Sequence, residues 1–450
     1  MRKLLIFILG IACFSACGPA ADSDILPEDF FVKYYGDSDA EVGLDVIETS
    51  SGYLIMGSTT SQNLTERFGS TDSDFYLVFT DKGGNEISSK VHGDANDQIP
   101  GSIKPTSDGG YIMIGTTVVA LGGTDFNEDI IVYKLDANGD NSDDSVWPLK
   151  FGSLNGTQDD DDQGADIVEV DDGFVLVGST ESVDRTKQGY IDGTDLTDIY
   201  LHKITTEGER DWELVFGFEK SDNGKAIINT ESGFAILGET EVEKDGSGGG
   251  TNVIFATTDA MGGSEQFRAF GSGDGTDTND YPSRIRETED GGFIIVGTSS
   301  DDALESATDD DDRIILMKVT ANRTLTYFET ISIGDGESTV AANGKDVFEL
   351  AAGGFLVVGK REGGDLGGDN SGEDMFLVKT NSFGQVTDDT GALLEGSWHQ
   401  KFGGLGDDEA AAVLELSDGK LIVVGTNDFG GTNSTMMTMM KLNRNGQLLK

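Results

Sequence analysis

The sequence predicts an all-β fold: a seven-bladed β-propeller with four-stranded antiparallel blades, closed by its N-terminal strand. Three observations carry that expectation. A residue followed by Gly closes a strand-like run seven times, at Tyr35-Gly36, His92-Gly93, Phe151-Gly152, Phe216-Gly217, Phe270-Gly271, Ile333-Gly334 and Phe402-Gly403. Between these marks a second signature recurs, fullest as Asp290-Gly291-Gly292-Phe293-Ile294-Ile295-Val296-Gly297-Thr298. Its final Gly falls at Gly57, Gly115, Gly178, Gly238, Gly297, Gly359 and Gly425, a period of 58 to 66 residues. Such a period is one supersecondary unit per repeat. Finally, the chain ends complement each other. The last copy runs out at Gly446-Gln447-Leu448-Leu449-Lys450 before any closing mark, whereas Phe31-Val32-Lys33-Tyr34-Tyr35-Gly36 carries a mark with no copy before it. That segment matches Trp147 to Gly152, Trp212 to Gly217 and Trp398 to Gly403, with an aromatic four residues before the closing one. An N-terminal strand that completes the last blade removes an open sheet edge.

The elements of one unit are legible in the third copy. Gly164 to Val170 reads as a first strand, Gly173 to Gly178 as a second, Asp198 to Ile204 as a third and Trp212 to Gly217 as a fourth, which is the content of a propeller blade. In Phe293-Ile294-Ile295-Val296 successive residues are all apolar, so both faces of that strand must be covered, as they are when sheets stack face to face. Gly is abundant at 63 residues and Pro scarce at 6, in keeping with many strands and turns. Units that share a period without a linker stack as one body.

Residues 1–16 read as a lipoprotein signal peptide, 17–28 as an acidic tether and 29–450 as the propeller. Arg2 and Lys3 precede an apolar stretch from Leu4 to Ala12 that is too short to span a bilayer. Ser15-Ala16-Cys17 then resembles a bacterial lipobox, which makes Cys17 the lipidated first residue of the mature chain. Cys13 after Ile11-Ala12 is one alternative, and an ordinary secretory signal is another. These are the two cysteines of the sequence, so a chain cleaved at Cys17 has no thiol or disulfide in its folded part. The acidic cluster Asp22, Asp24, Glu28 and Asp29 resembles the export signal that follows the lipidated Cys in surface lipoproteins of the Bacteroidetes type. Outer-membrane anchoring, facing the cell exterior, is what that resemblance implies.

The runs Asp418-Gly419-Lys420-Leu421-Ile422-Val423-Val424-Gly425 and Lys441-Leu442-Asn443-Arg444-Asn445-Gly446 resemble the delta-60 type propeller repeat, and the Asp-Gly-Gly-Phe copies resemble repeats in Bacteroidetes surface proteins. The resemblance covers about residues 30 to 450. It implies a β-propeller in the cell envelope and no catalytic residues. The copies vary: Asn252 and Arg313 stand where Asp74, Asp129, Asp198 and Asp374 precede the third strand.

In a four-stranded meander, the links from strand 2 to 3 and from strand 4 to the next unit emerge on one face. Those are the long ones here, such as Glu181 to Thr197, Ser300 to Asp312, Arg361 to Glu373 and Ser153 to Gln163. Tight turns such as Glu289-Asp290-Gly291-Gly292 mark the other face. The loop face is the expected seat of binding and the turn face a scaffold.

Formal charge is −51, from 31 basic and 82 acidic residues. Such a field excludes nucleic acid and anionic membrane surfaces as partners and favours cations or basic partners. The extreme runs, Asp159-Asp160-Asp161-Asp162 and Asp309-Asp310-Asp311-Asp312, are candidate Ca²⁺ ligands, since Ca²⁺ takes six to eight oxygens; solvated loop charge is the competing reading. Asp136-Ala137-Asn138-Gly139-Asp140 imitates the start of an EF-hand loop, yet Asn141 and Trp147 stand where Gly and Glu belong, so a hairpin turn is expected. The three histidines, His92, His202 and His399, lie in separate repeats and form no triad. Trp147, Trp212 and Trp398 share a repeat position and read as blade packing.

The expected function is therefore a surface-anchored, non-catalytic scaffold that binds a protein or glycan through its acidic loop face, as an accessory subunit of an outer-membrane transport or secretion complex. The membrane is engaged only through the lipid. Two alternatives stay open: a glycan-active enzyme using loop carboxylates, and a structural or adhesion protein organised by Ca²⁺.

Overall fold

The computed structural model describes residues 30–448, apart from 38, 66–71, 123–124, 153–160, 182–195, 244–248, 272–277, 302–311, 332–340, 363–371, 389–390, 405 and 431–434. The segments expected to be signal peptide and tether, Cys17 among them, and the Ile333-Gly334 mark lie outside the described residues. Within them the chain is almost wholly strand, with one helical turn at Gln62–Thr65.

Successive strands pair antiparallel into meanders of four. Glu41–Glu48, Gly52–Thr59, Asp74–Asp81 and Glu86–His92 form the first, and the same pattern follows over 97–151, 162–216 and 342–402. The fourth and fifth meanders, 222–270 and 278–331, share one eight-stranded sheet through a single parallel bridge between Thr251 and Asn279. The last sheet joins the chain ends. Phe31–Tyr35 pairs with Thr435–Leu442, and Leu421–Asp428 and Glu409–Glu415 follow inward.

Second strands are buried on both faces, as the unbroken apolar runs require; Phe174 to Val177 and Phe293 to Val296 are examples. Apolar clusters fill the spaces between meanders. Ile112, Ile114, Ile130 and Val132 meet Ile167, Phe174 and Leu176, and Val46, Ile55, Tyr76 and Val78 of the first meander meet Ile422, Val424, Met437 and Met439 of the last. The inner strands lie side by side in sequence order, each touching the next, and Glu409–Glu415 touches Glu41–Glu48. These are four-stranded blades of a β-propeller.

Glycine sets how closely blades approach. Each inner strand carries a bulge, after Gly43, Gly164, Gly224 and Gly344 for instance. A methyl group there would stand 2.4 Å from the Gly425 carbonyl oxygen at Gly43, 2.6 Å from that of Gly115 at Gly164, and 2.4 Å from that of Gly178 at Gly224. The Gly43 amide also donates to Thr426 Oγ1 at 3.1 Å, as Gly164 does to Thr116 Oγ1 at 3.1 Å and Gly344 to Thr298 Oγ1 at 3.3 Å. First and last meanders thus meet through the same contact as sequential ones.

Trp147 precedes its short fourth strand, Leu149–Phe151, yet packs on Phe174 as Trp212 packs on Phe234, both with ring centroids 6.4 Å apart. The expected packing role holds for both.

The N-terminal strand is anchored by Tyr35, which is 4% exposed and donates its hydroxyl to the Gly84 carbonyl at 2.8 Å. Replacing Tyr35 by Ala is expected to cost about 3–5 kcal/mol and Tyr35→Phe about 1 kcal/mol. Urea titration of both variants checks this, and equal stability of Tyr35→Ala and the parent would disprove the anchoring.

Candidate active site

The acidic runs are only partly within view. Asp159, Asp160 and Asp309 to Asp311 lie outside the described residues. Asp161 accepts the Glu128 amide at 2.9 Å, Asp162 is buried at the head of the third inner strand, and Asp312 accepts the Asn343 side-chain amide at 3.2 Å. The two runs belong to different links, and their described members make separate contacts. Among the described residues no group of three or more His, Cys, Asp or Glu is arranged to hold a metal. Asp136 accepts the amides of Asn138 at 2.7 Å and Asp140 at 3.1 Å, so the EF-hand-like segment is a capped hairpin turn. His92 bonds the Gly139 carbonyl at 2.7 Å and His202 pairs with Tyr200 at 2.5 Å, each within blade packing.

The aromatic-Gly marks have a physical cause. A methyl group on the glycine would stand 2.0 Å from Glu41 Oε2 at Gly36, 1.8 Å from Asp74 Oδ1 at Gly93 and 1.7 Å from Asp129 Oδ1 at Gly152. Five residues after the glycine, a polar side chain turns back to accept the amide that follows it. Glu41 takes the Asp37 amide at 3.2 Å, Asp222 that of Phe218 at 2.5 Å and Asp408 that of Gly404 at 2.7 Å. The acid capping the link and the acid opening the third strand therefore face each other across the mark.

The sharpest case is Asp198 with Asp222. A methyl group on Gly217 would be 2.0 Å from Asp222 Oδ2 and 2.8 Å from Asp198 Oδ1. Burial pushes Asp198 up to about 6. Burial, reinforced by the charges of Asp198 and Glu241, pushes Asp222 up to about 7, despite the Phe218 amide. Asp222 is fully buried, whereas Asp198 is partly exposed at the loop face. Beside them Thr197 Oγ1 donates to Asn223 Oδ1 at 3.1 Å, and Asn223 Nδ2 donates to Glu239 at 3.2 Å. Lys225 pairs with Glu239 at 2.9 Å. Such a group can hold and release a proton near neutrality. The sequence reading missed it, although the spacing from Gly217 to Asp222 repeats that from Gly36 to Glu41 and from Gly403 to Asp408.

A second charged cluster fills the space inside the inner strands. Asp166 accepts Ser102 Oγ at 2.6 Å and the Ile227 amide of the next meander at 3.1 Å, with Lys104 3.2 Å away. Asp346 accepts Arg286 at 2.6 Å and the Val413 amide of the next meander at 3.0 Å. Arg284 approaches Asp346 at 3.6 Å and Asp45 at 4.0 Å. Burial alone raises a carboxyl, but Lys104 beside Asp166 and Arg286 and Arg284 beside Asp346 hold both below the ordinary range. These cations are committed to acids, and the cluster ties neighbouring inner strands together.

Two cavities open on the turn face. A cavity of about 840 Å³ opens between the third and fourth meanders, lined by Glu169, Asp172, Lys203 and Met261 among others, and one of about 590 Å³ between the fourth and fifth. Both lie among tight turns, where neighbouring side chains leave space.

Both Asp198 and Asp222 are raised, so the fold favours their protonated forms. Their contribution to stability is complete below the unfolded value near 4 and is lost as pH rises through about 6 and about 7. Thermal stability is therefore expected to fall from pH 4 to 8. Asp222→Asn, which keeps an acceptor for the Phe218 amide, should flatten that slope and raise stability at pH 8 by on the order of 1 kcal/mol. Parallel melting curves of parent and variant across this range would contradict it.

No protein-family profile matches the chain, and no curated protein matches it. Solved structures do. The chain is similar to the polysaccharide lyase Uly1, at 11% identity and a TM-score of 0.48 over 91% of both chains. It is similar to the periplasmic gluconolactonase PpgL of Pseudomonas aeruginosa, at 10% identity and 0.44 over 91% of this chain and 97% of that one. It is also similar to Trypanosoma rangeli sialidase, at 12% identity and 0.41; 82% of this chain is covered, and it spans 56% of the sialidase's length. The likeness is one of fold. The expectation of a non-catalytic scaffold serving a transport or secretion complex is corrected by these matches: the three named here are a polysaccharide lyase, a gluconolactonase and a sialidase, and none is a subunit of such a complex. That expectation also rested on loop acids at 159–160, 182–195 and 302–311, which lie outside the described residues; Asp161, Asp222, Asp312 and Asp408, within them, are engaged with amide groups.

Proposed function

We propose that the chain is a closed seven-bladed β-propeller and an acid–base enzyme acting on a glycan at its loop face, with Asp198 as the proton-transferring residue. The closed ring is supported by the shared glycine contact of first and last meanders and by the N-terminal strand at the outer edge of the last. The observation that carries the activity is the pair Asp198 and Asp222, raised to about 6 and about 7, with Asp198 partly exposed. A carboxyl group poised near neutrality can protonate a leaving oxygen. Glycan cleavage commonly divides labour between such an acid and a second carboxylate. Glu239, ion-paired with Lys225 and joined to Thr197 through Asn223, is assigned the second role in this reading. Asp222 is a positioning residue: it is buried behind Gly217, and the charge of Asp198 opposes its ionisation.

Charge favours a neutral or amine-bearing glycan. The chain carries −51 formal charges, and Arg284, Arg286 and Lys104 are held by Asp346, Asp45 and Asp166, so they are not offered to an anionic sugar. The test is incubation of the purified chain with neutral, amino-sugar and uronate oligosaccharides, followed by mass spectrometry of products. Cleavage of a neutral or amino-sugar chain is expected, reduced by about 10²-fold or more in Asp198→Asn. No cleavage of any glycan, or an Asp198→Asn variant as active as the parent, sinks the reading; cleavage confined to uronates sinks the charge argument.

Anchoring through a lipid on Cys17 belongs to the same proposal and is supported by Arg2, Lys3 and Ser15-Ala16-Cys17 in the sequence. Cys17→Ser is expected to move the protein from membrane to soluble fractions. Release by Cys13→Ser instead would move the anchor to Cys13.

A further inference from the structure

Six of the turns that follow third strands share one device. Gly84, Gly139, Gly208, Gly262, Gly384 and Gly446 adopt φ between +69° and +81°, each donating its amide to the carbonyl three residues earlier. Their bare backbone lies against a side chain of the preceding meander. Methyl groups would stand 2.6 Å from Phe31 at Gly84, 2.6 Å from Trp212 at Gly262 and 2.6 Å from Trp398 at Gly446. The fifth meander breaks the rule twice. Arg323 takes the glycine position at φ +60°, with its amide on the Thr320 carbonyl at 2.8 Å, and Gln266 stands where the preceding meander should present the aromatic. An L-residue is disfavoured at that φ. Instead of ring on glycine, a guanidinium reaches across to Thr257 Oγ1 at 2.7 Å and to Gln266.

At this double exception lies the cavity of about 590 Å³ on the turn face, lined by Arg323, Glu231, Glu287, Asp259, Thr257 and Gln266 among others. Arg323 has five N–H donors; among the described residues its partners are two neutral oxygens, and it forms no ion pair. Glu231 and Glu287 are exposed and have no hydrogen-bond or ion-pair partner among the described residues. Asp259 is engaged by the Met261 and Gly263 amides, so one guanidinium and two exposed carboxylates line the cavity without closing on each other, in a size range typical of small-ligand sites.

We propose that this cavity binds a short zwitterionic peptide of about two or three residues, a size suited to such a volume. Its terminal carboxylate takes the guanidinium fork of Arg323, and its amine lies between Glu231 and Glu287. A bidentate carboxylate is the acceptor that fork matches best. The site is on the opposite face from Asp198 and does not depend on the glycan activity.

Calorimetric titration of the full chain with alanyl-alanine and its end-blocked forms tests this. Binding is expected for the free dipeptide, weaker by about tenfold or more for the N-acetylated form, the C-amidated form and free alanine. Arg323→Gly restores the repeat residue and relieves the backbone, so it should fold at least as stably while losing that affinity. Glu231→Gln with Glu287→Gln should weaken the dipeptide and leave the N-acetylated form unchanged. No binding at about 10 mM, indifference to either blocked end, free alanine binding as tightly as the dipeptide, or unaltered affinity in Arg323→Gly would each overturn the proposal.

Discussion

The architecture depends on the approach of one backbone to another at the inner strands. Where Gly164 meets the Gly115 carbonyl, Gly224 meets that of Gly178 and Gly43 meets that of Gly425, a methyl group would overlap an oxygen. Glycine on both sides lets successive sheets close to backbone contact, and the bulge beside it turns the next residue inward. The positions that bring Asp45, Asp166, Arg284 and Asp346 together follow from that bulge. Apolar packing between faces supplies the bulk of the stabilisation, but the glycine contact decides how far apart the faces sit.

The acidic surplus also has a structural use. Carboxylates are strong acceptors with no hydrogens to satisfy when ionised, and this chain sets them against amides that sheet pairing leaves over. Asp166 and Asp346 accept amides of the next meander, while Glu41, Asp222 and Asp408 cap the links between meanders. Cations on the inner strands offset the cost of burying some of these charges. No cation among the described residues pairs with Asp198 or Asp222, and burial moves both toward neutrality. The same repeated scaffold thus yields ionised structural acids at one junction and a titrating pair at another.

One departure from the repeat stands out at the turn face. Turn glycines obey the pattern because each lies against a side chain of the preceding meander. Arg323 and Gln266 depart together, since the ring that normally covers the turn glycine is gone and a long side chain replaces it. A left-handed Arg323 backbone and a guanidinium without an ion pair among the described residues coincide with the cavity there.

The sequence by itself determined the period, the four strands of each unit, the buried second strands, the turn at Asp136 and the match of Phe31–Tyr35 to the last copy. All are local or periodic properties: alternation, turn chemistry and the spacing of glycines constrain the backbone of one unit wherever it lies. Only the tertiary structure decided which acids meet. Asp198 and Asp222 lie 24 positions apart in the chain and look like any other loop carboxylates until Gly217 brings them face to face. Arg323 reads as an ordinary turn residue until its guanidinium is seen to find Thr257 and Gln266, 66 and 57 residues earlier, and no carboxylate. Ionisation and pairing depend on what a neighbouring blade presents across a few ångströms, and a repeat pattern specifies the blade without specifying that neighbour.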